Sequence, residues 1–249
     1  MTEDIVGGSR VGVLAQGILR RLGYRLRLMW KIASSLALKP IIVDVFHQLY
    51  YGNCSTTLGN TFLGVGLTKC PLDLWVYQEI IHEIQPDVIV ECGTQRGGTA
   101  LFLASICELI QHGRIITIDI EQIPNRPTHP RIRYLMGSST APEVVEVVTR
   151  SIAPHETVMV ILDSDHHQAH VLQELRIYSD VVTPGSYLIV EDTDLNGHPV
   201  RPEFGPGPWE AVREFLEERD DFVTDRRREK FYLTLNPNGY LQKRRTGNL

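Results

Sequence analysis

From Pro71 onward, short apolar runs alternate with amphipathic stretches of helical period, and this alternation constrains the fold more than any other feature of the chain. Each apolar run indicates a buried strand, and each amphipathic stretch indicates a helix that covers one face of a parallel sheet. The predicted strands are 88–90, 115–118, 132–135, 158–162 and 187–190, with a closing antiparallel hairpin of 222–223 and 231–235. The predicted helices are 71–84, 99–110, 168–179 and 208–219. The pattern predicts one α/β domain with a doubly wound, mostly parallel sheet.

The bulk composition narrows the class of protein. A chain of 249 residues, 43% of them hydrophobic, is long enough for one sizeable core. Its net charge of −5 argues against nucleic acid as a partner, because phosphate binding leaves a basic footprint. The four cysteines form no C-x-x-C pair, which favours reduced thiols in a cytoplasmic protein. No apolar run reaches the roughly 18 residues of a membrane-spanning helix.

The N-terminal segment differs in charge from the rest of the chain. Residues 1–40 carry a net charge of +5, so the remainder carries −10. Apolar residues recur between the bases at helical spacing, and they are Leu19, Leu22, Leu26, Met29 and Trp30. We predict a basic helical extension over residues 1–48 and a catalytic domain over 49–249. A basic amphipathic helix fits a peripheral contact with the anionic inner face of a membrane, and equally packing on the domain or on a second subunit of a homo-oligomer.

The stretch 91–99 is the most informative local motif. A strand ends in an acidic residue, and glycines follow at the turn into a helix, with the spacing E-x-G-x-x-x-G. That spacing differs from the G-x-G-x-x-G of dinucleotide sites, and a looser loop suits S-adenosylmethionine, which has no phosphate. Asp119 follows the next strand, where a carboxylate can accept hydrogen bonds from ribose hydroxyls. The candidate cofactor-binding residues are Glu91, Gly93, Thr94, Gly97, Gly98, Asp119 and Ser138. The alternative is that the glycines only form a tight turn.

Acidic residues cluster after the fourth and fifth strands of the predicted sheet. Asp163 follows one strand, and Glu191 and Asp192 follow the other. Tips of adjacent parallel strands lie side by side, so these carboxylates would repel one another unless a cation neutralised them. Oxygen ligands suit Mg²⁺ or a similar divalent cation. We therefore predict Asp163, Glu191 and Asp192 as metal ligands, although each acid alone could be a helix N-cap.

His166 is the candidate catalytic residue. It follows Asp163 by three positions, which places it to remove a proton from a hydroxyl held at the metal. The alternative is a turn residue or a hydrogen-bond partner of the acids.

The segment 193–208 holds three Gly and four Pro directly after the predicted ligands, and we predict a shaped substrate lid there rather than a linker.

Two other functional classes stay open on the residues alone. Asp163-Ser-Asp165 also fits the D-x-D pattern of metal-dependent glycosyltransferases, but that class does not account for the glycine loop. A non-catalytic binding protein on the same fold is the other alternative, and it gives no reason for the three acids and His166 to be present together.

Several longer motifs carry a family resemblance. They are Tyr50-Tyr-Gly-Asn53, Trp75-x-Tyr-Gln-Glu79, Ile161-Leu-Asp-Ser-Asp-His166, Val190-Glu-Asp192, Asn196-Gly-His-Pro199 leading into Phe204-Gly-Pro-Gly-Pro208, and Asn236-Pro-Asn-Gly-Tyr-Leu241. From about residue 50 to 241 the chain resembles the rhamnosyl O-methyltransferase and cephalosporin hydroxylase family, most nearly its mycobacterial type. The resemblance implies an S-adenosylmethionine-dependent methyltransferase fold and metal-assisted O-methylation of a sugar hydroxyl. The implied acceptor is a small molecule or glycolipid that carries a deoxyhexose such as rhamnose.

Overall fold

The structure, a computed structural model, describes residues 10–53 and 59–245, with the side chains of 10–20 and 33–36 outside that description. The chain divides into two units between Val45 and Phe46. Helix α1 (Arg10–Gly52) forms the described part of the first unit and continues into the second, with Pro40 inside it. Over the described residues, no helix is long and apolar enough to cross a membrane.

The second unit holds the α/β domain. Its strands are β1 (Thr61–Phe62), β2 (Val65–Gly66), β3 (Val88–Cys92), β4 (Arg114–Asp119), β5 (Ile132–Met136), β6 (Val158–Leu162), β7 (Tyr187–Val190), β8 (Phe222–Thr224) and β9 (Tyr240–Lys243). Its helices are α2 (Pro71–Ile84), α3 (Gly98–Leu109), α4 (Pro142–Arg150), α5 (Gln168–Tyr178) and α6 (Pro208–Glu218), with a short 3₁₀ turn at Arg226–Glu229.

Seven strands form one sheet in the order β5-β4-β3-β6-β7-β9-β8. The first five are parallel, whereas β9 runs antiparallel to both β7 and β8. Strand order reverses at β3, which pairs with β4 on one side and with β6 on the other. A sheet of this kind binds ligands beyond the carboxyl ends of its strands at such a reversal. The predicted doubly wound, mostly parallel sheet is confirmed.

Alternate residues of the central strands pack on opposite faces of the sheet. Val88 and Val90 belong to a core cluster shared with α4, α5 and α6. Ile89 belongs to a second cluster, shared with α2 and α3. Because both faces are covered, the central strands are apolar throughout, which is why short continuous apolar runs marked them in the sequence.

The predicted strand at 231–235 was wrong. The last strand is β9, and its residues pair with β7 and β8. The backbone N–H of Leu235 donates to Asp73 Oδ2, and the Leu235 carbonyl accepts from the N–H of Asp194. These contacts use backbone polar groups of Leu235 that pairing in a sheet would need, so the segment does not join the sheet.

Helix α4 falls in a stretch for which no element was predicted. Its proline lies in the first turn, and its buried residues Val144 and Val148 are one helical turn apart. The helix is only nine residues long, so its apolar stripe rests on very few positions.

Three of the four cysteines lie within the described residues, and all three are buried free thiols. They are Cys70, Cys92 and Cys107, and burial raises the pKa of Cys70 and of Cys107 to about 11. The fourth, Cys54, lies outside the described residues.

Candidate active site

A cavity of about 390 Å³ opens at the carboxyl edge of the sheet, next to the strand reversal. Its volume falls within the range of about 300–1,000 Å³ that is usual for small-molecule sites. The predicted site residues that line it are Gly93, Thr94, Gly98, Asp119, Ser138, Asp163, His166 and Asp192. The structure thus brings most of the predicted cofactor residues and most of the predicted metal site into one cavity. The other predicted residues, Glu91, Gly97 and Glu191, do not line the cavity.

The loop after β3 requires glycine because three backbone segments meet there. Gly93 has a φ of 98°, and a Cβ at this position would lie 1.9 Å from the carbonyl oxygen of Asp163. A Cβ at Gly98 would lie 2.4 Å from the carbonyl oxygen of Gly66. Gly97 precedes the first turn of α3 with a φ of 82°. The glycines therefore bring the tips of β3 and β6 into direct contact, which a turn alone would not demand.

Glu91 is fully buried at the end of β3. Its Oε2 accepts a hydrogen bond from Thr117 Oγ1 at 2.5 Å, but its Oε1 has no hydrogen-bond partner among the described residues. Burial raises the pKa of Glu91 to about 8. A buried polar atom left without a partner calls for a ligand or an ordered water. This carboxyl group therefore fits a cofactor that reaches the glycine loop.

Asp119 lines the cavity, as a ribose-binding acid would, and it is fixed by neighbours. Its Oδ2 accepts from the backbone N–H of Gln95 at 2.6 Å and from Arg126 Nη2 at 2.9 Å. Its Oδ1 accepts from the backbone N–H of Glu121 at 2.8 Å. A carboxylate offers about four acceptor positions, so these three donors leave room for one more. Arg126 had no predicted role.

Ser138 lies on the loop after β5 and also lines the cavity. Its hydroxyl lies 3.1 Å from that of Thr140. Its neighbour Ser139 donates to Glu174 Oε1 at 2.5 Å, and Ser164 donates to the same oxygen at 2.6 Å. The buried carboxylate of Glu174 thus ties the loop after β5 to the loop after β6, a contact that sequence patterns did not indicate.

Asp163, His166 and Asp192 form a compact group of potential metal-binding side chains. One ligand atom from each lies within 4.8 Å of the others, and His166 Nε2 lies 3.1 Å from Asp192 Oδ2. Burial raises the pKa of Asp163. Burial lowers the pKa of His166, but the charges of Asp192 and Asp163 outweigh this effect and raise it above its usual value. Two carboxylates and an imidazole at this spacing fit a divalent cation.

Glu191 is placed differently from the other two predicted ligands. It is 2% exposed, and its Oε1 accepts from the hydroxyl of Tyr77 and lies 2.7 Å from Lys69 Nζ. The same ammonium lies 2.5 Å from Asp163 Oδ2. Burial works to lower the pKa of Lys69, but attraction to Asp163 and Glu191 raises it above its usual value. Lys69 was not predicted as a site residue, because it is 94 residues from Asp163 and belongs to no motif.

Two further residues, Tyr77 and Asn236, hold Glu191 and Asp192 in place through hydrogen bonds. The Tyr77 hydroxyl accepts from Asn236 Nδ2 at 2.9 Å, and Asn236 Oδ1 accepts from the backbone N–H of Asp192 at 3.1 Å. Asp192 has a φ of 54°, a conformation that this contact supports. Tyr77 and Asn236 both lie in motifs that carry the family resemblance, which was the available signal, but no role had been predicted for either.

The segment 193–208, predicted as a substrate lid, contributes no residue to the lining of the cavity. Asp194 is fully buried, and its Oδ2 lies 2.8 Å from His47 Nε2. Further along, Glu210 Oε1 accepts from Asn196 Nδ2 at 2.9 Å. These two contacts anchor the start of the segment, and its closure over a substrate stays a prediction.

Comparisons with known proteins identify the family of this chain. The rhamnosyl O-methyltransferase/CmcI family matches residues 55–244. The chain belongs to this family. A rhamnosyl O-methyltransferase of Mycobacterium tuberculosis is 38% identical over 224 residues, which cover 86% of this chain and 91% of that protein. The corresponding protein of Mycobacterium leprae is 37% identical over 227 residues, covering 87% and 98%.

Solved structures agree on the fold of this family member. A CmcI apo-structure has a TM-score of 0.58 and 21% identity, covering 74% of this chain and 76% of that chain. A CmcI structure with Mg and SAM has a TM-score of 0.55 and 20% identity, with the same coverage. The predictions of the family, of an O-methyltransferase and of an α/β methyltransferase fold are confirmed.

Proposed function

We propose that this O-methyltransferase transfers a methyl group from S-adenosylmethionine to a sugar hydroxyl with the help of a divalent cation such as Mg²⁺. The observation that carries the proposal is the shared cavity. The glycine loop and Asp119 line one side of it, and Asp163, His166 and Asp192 line the other. A methyl donor and an acceptor hydroxyl would therefore meet within a single cavity, which is the arrangement that direct transfer requires.

The side of the cavity next to β3 and β4 is proposed to bind the cofactor. Gly93 and Gly98 leave space for close approach to the backbone, and Asp119 presents its remaining acceptor position to a ribose hydroxyl. Glu91 is fully buried and does not line the cavity, so its unpartnered Oε1 is proposed to reach the cofactor through an ordered water. Ser138, which also lines the cavity, is proposed to contact the adenine side of the cofactor.

The side of the cavity next to β6 and β7 is proposed to activate the acceptor. Asp163, Glu191 and Asp192 are the proposed ligands of a divalent cation, which supplies Lewis acidity that lowers the pKa of a hydroxyl. The imidazole of His166 would accept the hydroxyl proton, and Asp192, whose Oδ2 lies 3.1 Å from Nε2, would stabilise the resulting imidazolium. The acids thus have two separate tasks, which are to hold the cation and to orient the base.

The proposed acceptor is a deoxyhexose such as rhamnose, carried by a glycolipid or another natural product. The support is the 37–38% identity, over most of the chain, to relatives that are named rhamnosyl O-methyltransferases. The proposal for the sugar rests on this similarity, whereas the proposal for methyl transfer also rests on the cavity.

An assay with a defined acceptor tests this function. Purified protein is incubated with S-adenosylmethionine, Mg²⁺ and an alkyl rhamnoside, and the product is analysed by mass spectrometry and NMR. We expect a single added O-methyl group, and no reaction with a rhamnoside whose ring hydroxyls are already methylated. Methylation of a phenolic acceptor but of no rhamnoside would show that the proposed sugar acceptor is wrong.

We further propose that α1 binds the surface of an anionic membrane. Its apolar positions at helical spacing are all more than half exposed, and they are Leu22, Leu26, Met29 and Trp30. Exposed bases at Arg25 and Arg27 flank this apolar face. An apolar face bordered by basic side chains complements acyl chains below anionic headgroups.

Vesicle sedimentation tests this contact. We expect the full chain to sediment with phosphatidylglycerol vesicles at low salt and to be released at high salt. The pair of substitutions Leu26→Asp and Trp30→Asp should abolish binding, whereas Trp75→Asp, at an exposed position on α2, should not. If the pair instead converts a dimer into a monomer and vesicles bind neither protein, a second copy of the chain covers this face.

A further inference from the structure

Lys69 is a buried cation within the acid cluster, and the proposed reaction gives it no task. It is 3% exposed, and it directly follows the segment 66–68, which lines the cavity. Its Nζ forms ion pairs of 2.5 Å with Asp163 Oδ2 and of 2.7 Å with Glu191 Oε1. A lysine is almost never fully buried unless it is paired, and here both partners are proposed metal ligands.

We infer that Lys69 is a built-in competitor of the divalent cation, because its ammonium group holds the carboxylate oxygens that the cation needs from Asp163 and Glu191. This inference rests on the proposed function. Mg²⁺ contacts its oxygen ligands directly, at about 2.0–2.1 Å. An ammonium group on the same oxygens would place a second positive charge against the cation. The cation therefore gains Asp163 Oδ2 and Glu191 Oε1 only when Lys69 moves away.

Lys69 competes for some of the proposed ligands and not for others. Asp192 forms its ion pair with His166, so it can meet a cation without disturbing Lys69. Oε1 of Glu191 is held by Lys69 and Tyr77 together, so this oxygen can become a ligand only after the ammonium group has left. Lys69 thus lowers the affinity for the cation, and it balances the charge of the buried Glu191 and the partly buried Asp163 when no cation is bound.

The variant Lys69→Met tests the competition by metal binding. Mn²⁺ and Mg²⁺ are titrated by calorimetry into the wild type and the variant without cofactor or acceptor. We expect the variant to bind both ions more tightly, by about tenfold or more, since a nearby like charge has been removed. In EDTA the variant should melt below the wild type, and saturating Mn²⁺ should close this gap. Weaker or unchanged ion binding would overturn the inference, as would a gap that the ion does not close.

Lys230→Met is the matched control. Lys230 also pairs with a carboxylate, Glu79, but at the partly exposed surface away from the cavity. Its substitution should change neither the ion affinity nor the effect of EDTA on the melting temperature. If neither the wild type nor Lys69→Met binds a divalent cation, the proposed function and this inference both fail. If both bind with equal affinity, only this inference fails.

A measurement on the wild type covers the case in which Lys69→Met does not fold. The side-chain ammonium of Lys69 is observed by NMR in protein labelled with ¹⁵N-lysine and is assigned by its disappearance in Lys69→Arg. Saturating Mg²⁺ should shift or broaden this signal while that of Lys230 stays unchanged. A Lys69 signal that Mg²⁺ leaves in place would overturn the inference.

Discussion

The two sides of the cavity are built in different ways. On the cofactor side, the shape comes from backbone, with glycines at points where a Cβ would lie 1.9 Å and 2.4 Å from a neighbouring carbonyl oxygen. Asp119 is held there by residues that lie within about one βα unit of it, such as Gln95 and Arg126. On the acid side, the shape comes from charged side chains. These are held by Lys69 and Asn236, which are far away in the sequence.

This difference indicates that substitutions on one side of the cavity should leave the function of the other side intact. Backbone packing on the cofactor side resists added volume, so its variants should lose stability or cofactor affinity. The acid side depends on charge balance among Asp163, Glu191, Asp192 and Lys69, so its variants should lose cation affinity or turnover while the cofactor still binds. Each prediction below tests this separation, from the largest expected effect to the smallest.

Asp163→Asn should have the largest effect on activity. It removes one charge from the group that would hold the cation, and Lewis-acid stabilisation is worth several kcal/mol, so turnover should fall by about 10³-fold or more. S-adenosylmethionine affinity, measured by calorimetry, should stay within about threefold of the wild type, because the site of ribose binding lies on other strands. Asp180→Asn, at an acid that is 74% exposed, pairs with Arg219 and does not line the cavity, is the control and should keep its activity. A parallel loss of cofactor binding in Asp163→Asn would break the separation.

His166→Ala should lower turnover by about 10²- to 10⁴-fold, the usual contribution of a positioned general base. The proposed ligands are Asp163, Glu191 and Asp192, without His166, so cation and cofactor affinities should change little. A large loss of cation affinity would show that the His166 imidazole is itself a ligand. Raising the pH should partly restore turnover, since hydroxide can then accept the proton. His167→Ala removes a histidine whose side chain is 72% exposed, and it should have no comparable effect. Full turnover of His166→Ala at neutral pH would show that another group is the base.

Gly93→Ala should destabilise the protein by about 3 kcal/mol, because the methyl group meets a backbone carbonyl and the left-handed conformation disfavours a side chain. Gly205→Ala is a matched control with a φ of 91° and no atom within 4 Å of the added Cβ. It should cost only about 1 kcal/mol, from conformation alone. Chemical denaturation measures both. Equal losses would mean that the close approach at Gly93 contributes nothing.

Asp119→Ala should have the smallest of these effects, a decrease in S-adenosylmethionine affinity of about 10-fold, as expected for one hydrogen bond to a charged group. Cation affinity should not change. Glu143→Ala, which removes an exposed acid from the start of α4, is the control for loss of one negative charge. An unchanged cofactor affinity in Asp119→Ala would remove this residue from the proposed ribose contact.

The features that could be predicted from the sequence are those in which neighbours along the chain decide the structure. The buried strands, the glycine loop and the acids at the strand tips each follow from a local pattern, and the structure places Asp119 and Asp163 on one cavity as expected. The strand at 231–235 was mispredicted because side chains far away, such as Asp73, bind its backbone. An apolar run carries no trace of that contact.

The supports of the acid site could not be predicted for the same reason. Lys69 reaches Asp163 across 94 residues, and Tyr77 reaches Glu191 across 114. A lone lysine before a helix gives no periodic or spacing signal, so only the folded chain shows that it lies between two acids. Tyr77 and Asn236 belonged to recognisable motifs, but a motif shows which residues recur together and not which atom each one holds.

The most direct test of the central claim is methyl transfer measured as the divalent cation is removed. The rate of transfer from ¹³C-methyl S-adenosylmethionine to an alkyl rhamnoside is followed by NMR while EDTA is added and Mg²⁺ is then restored. In parallel, the affinity for S-adenosylmethionine is measured by calorimetry. The account predicts that transfer stops with EDTA and returns with Mg²⁺, while cofactor affinity changes by less than about threefold. Transfer that continues in EDTA, or cofactor binding that is lost together with it, would contradict the account.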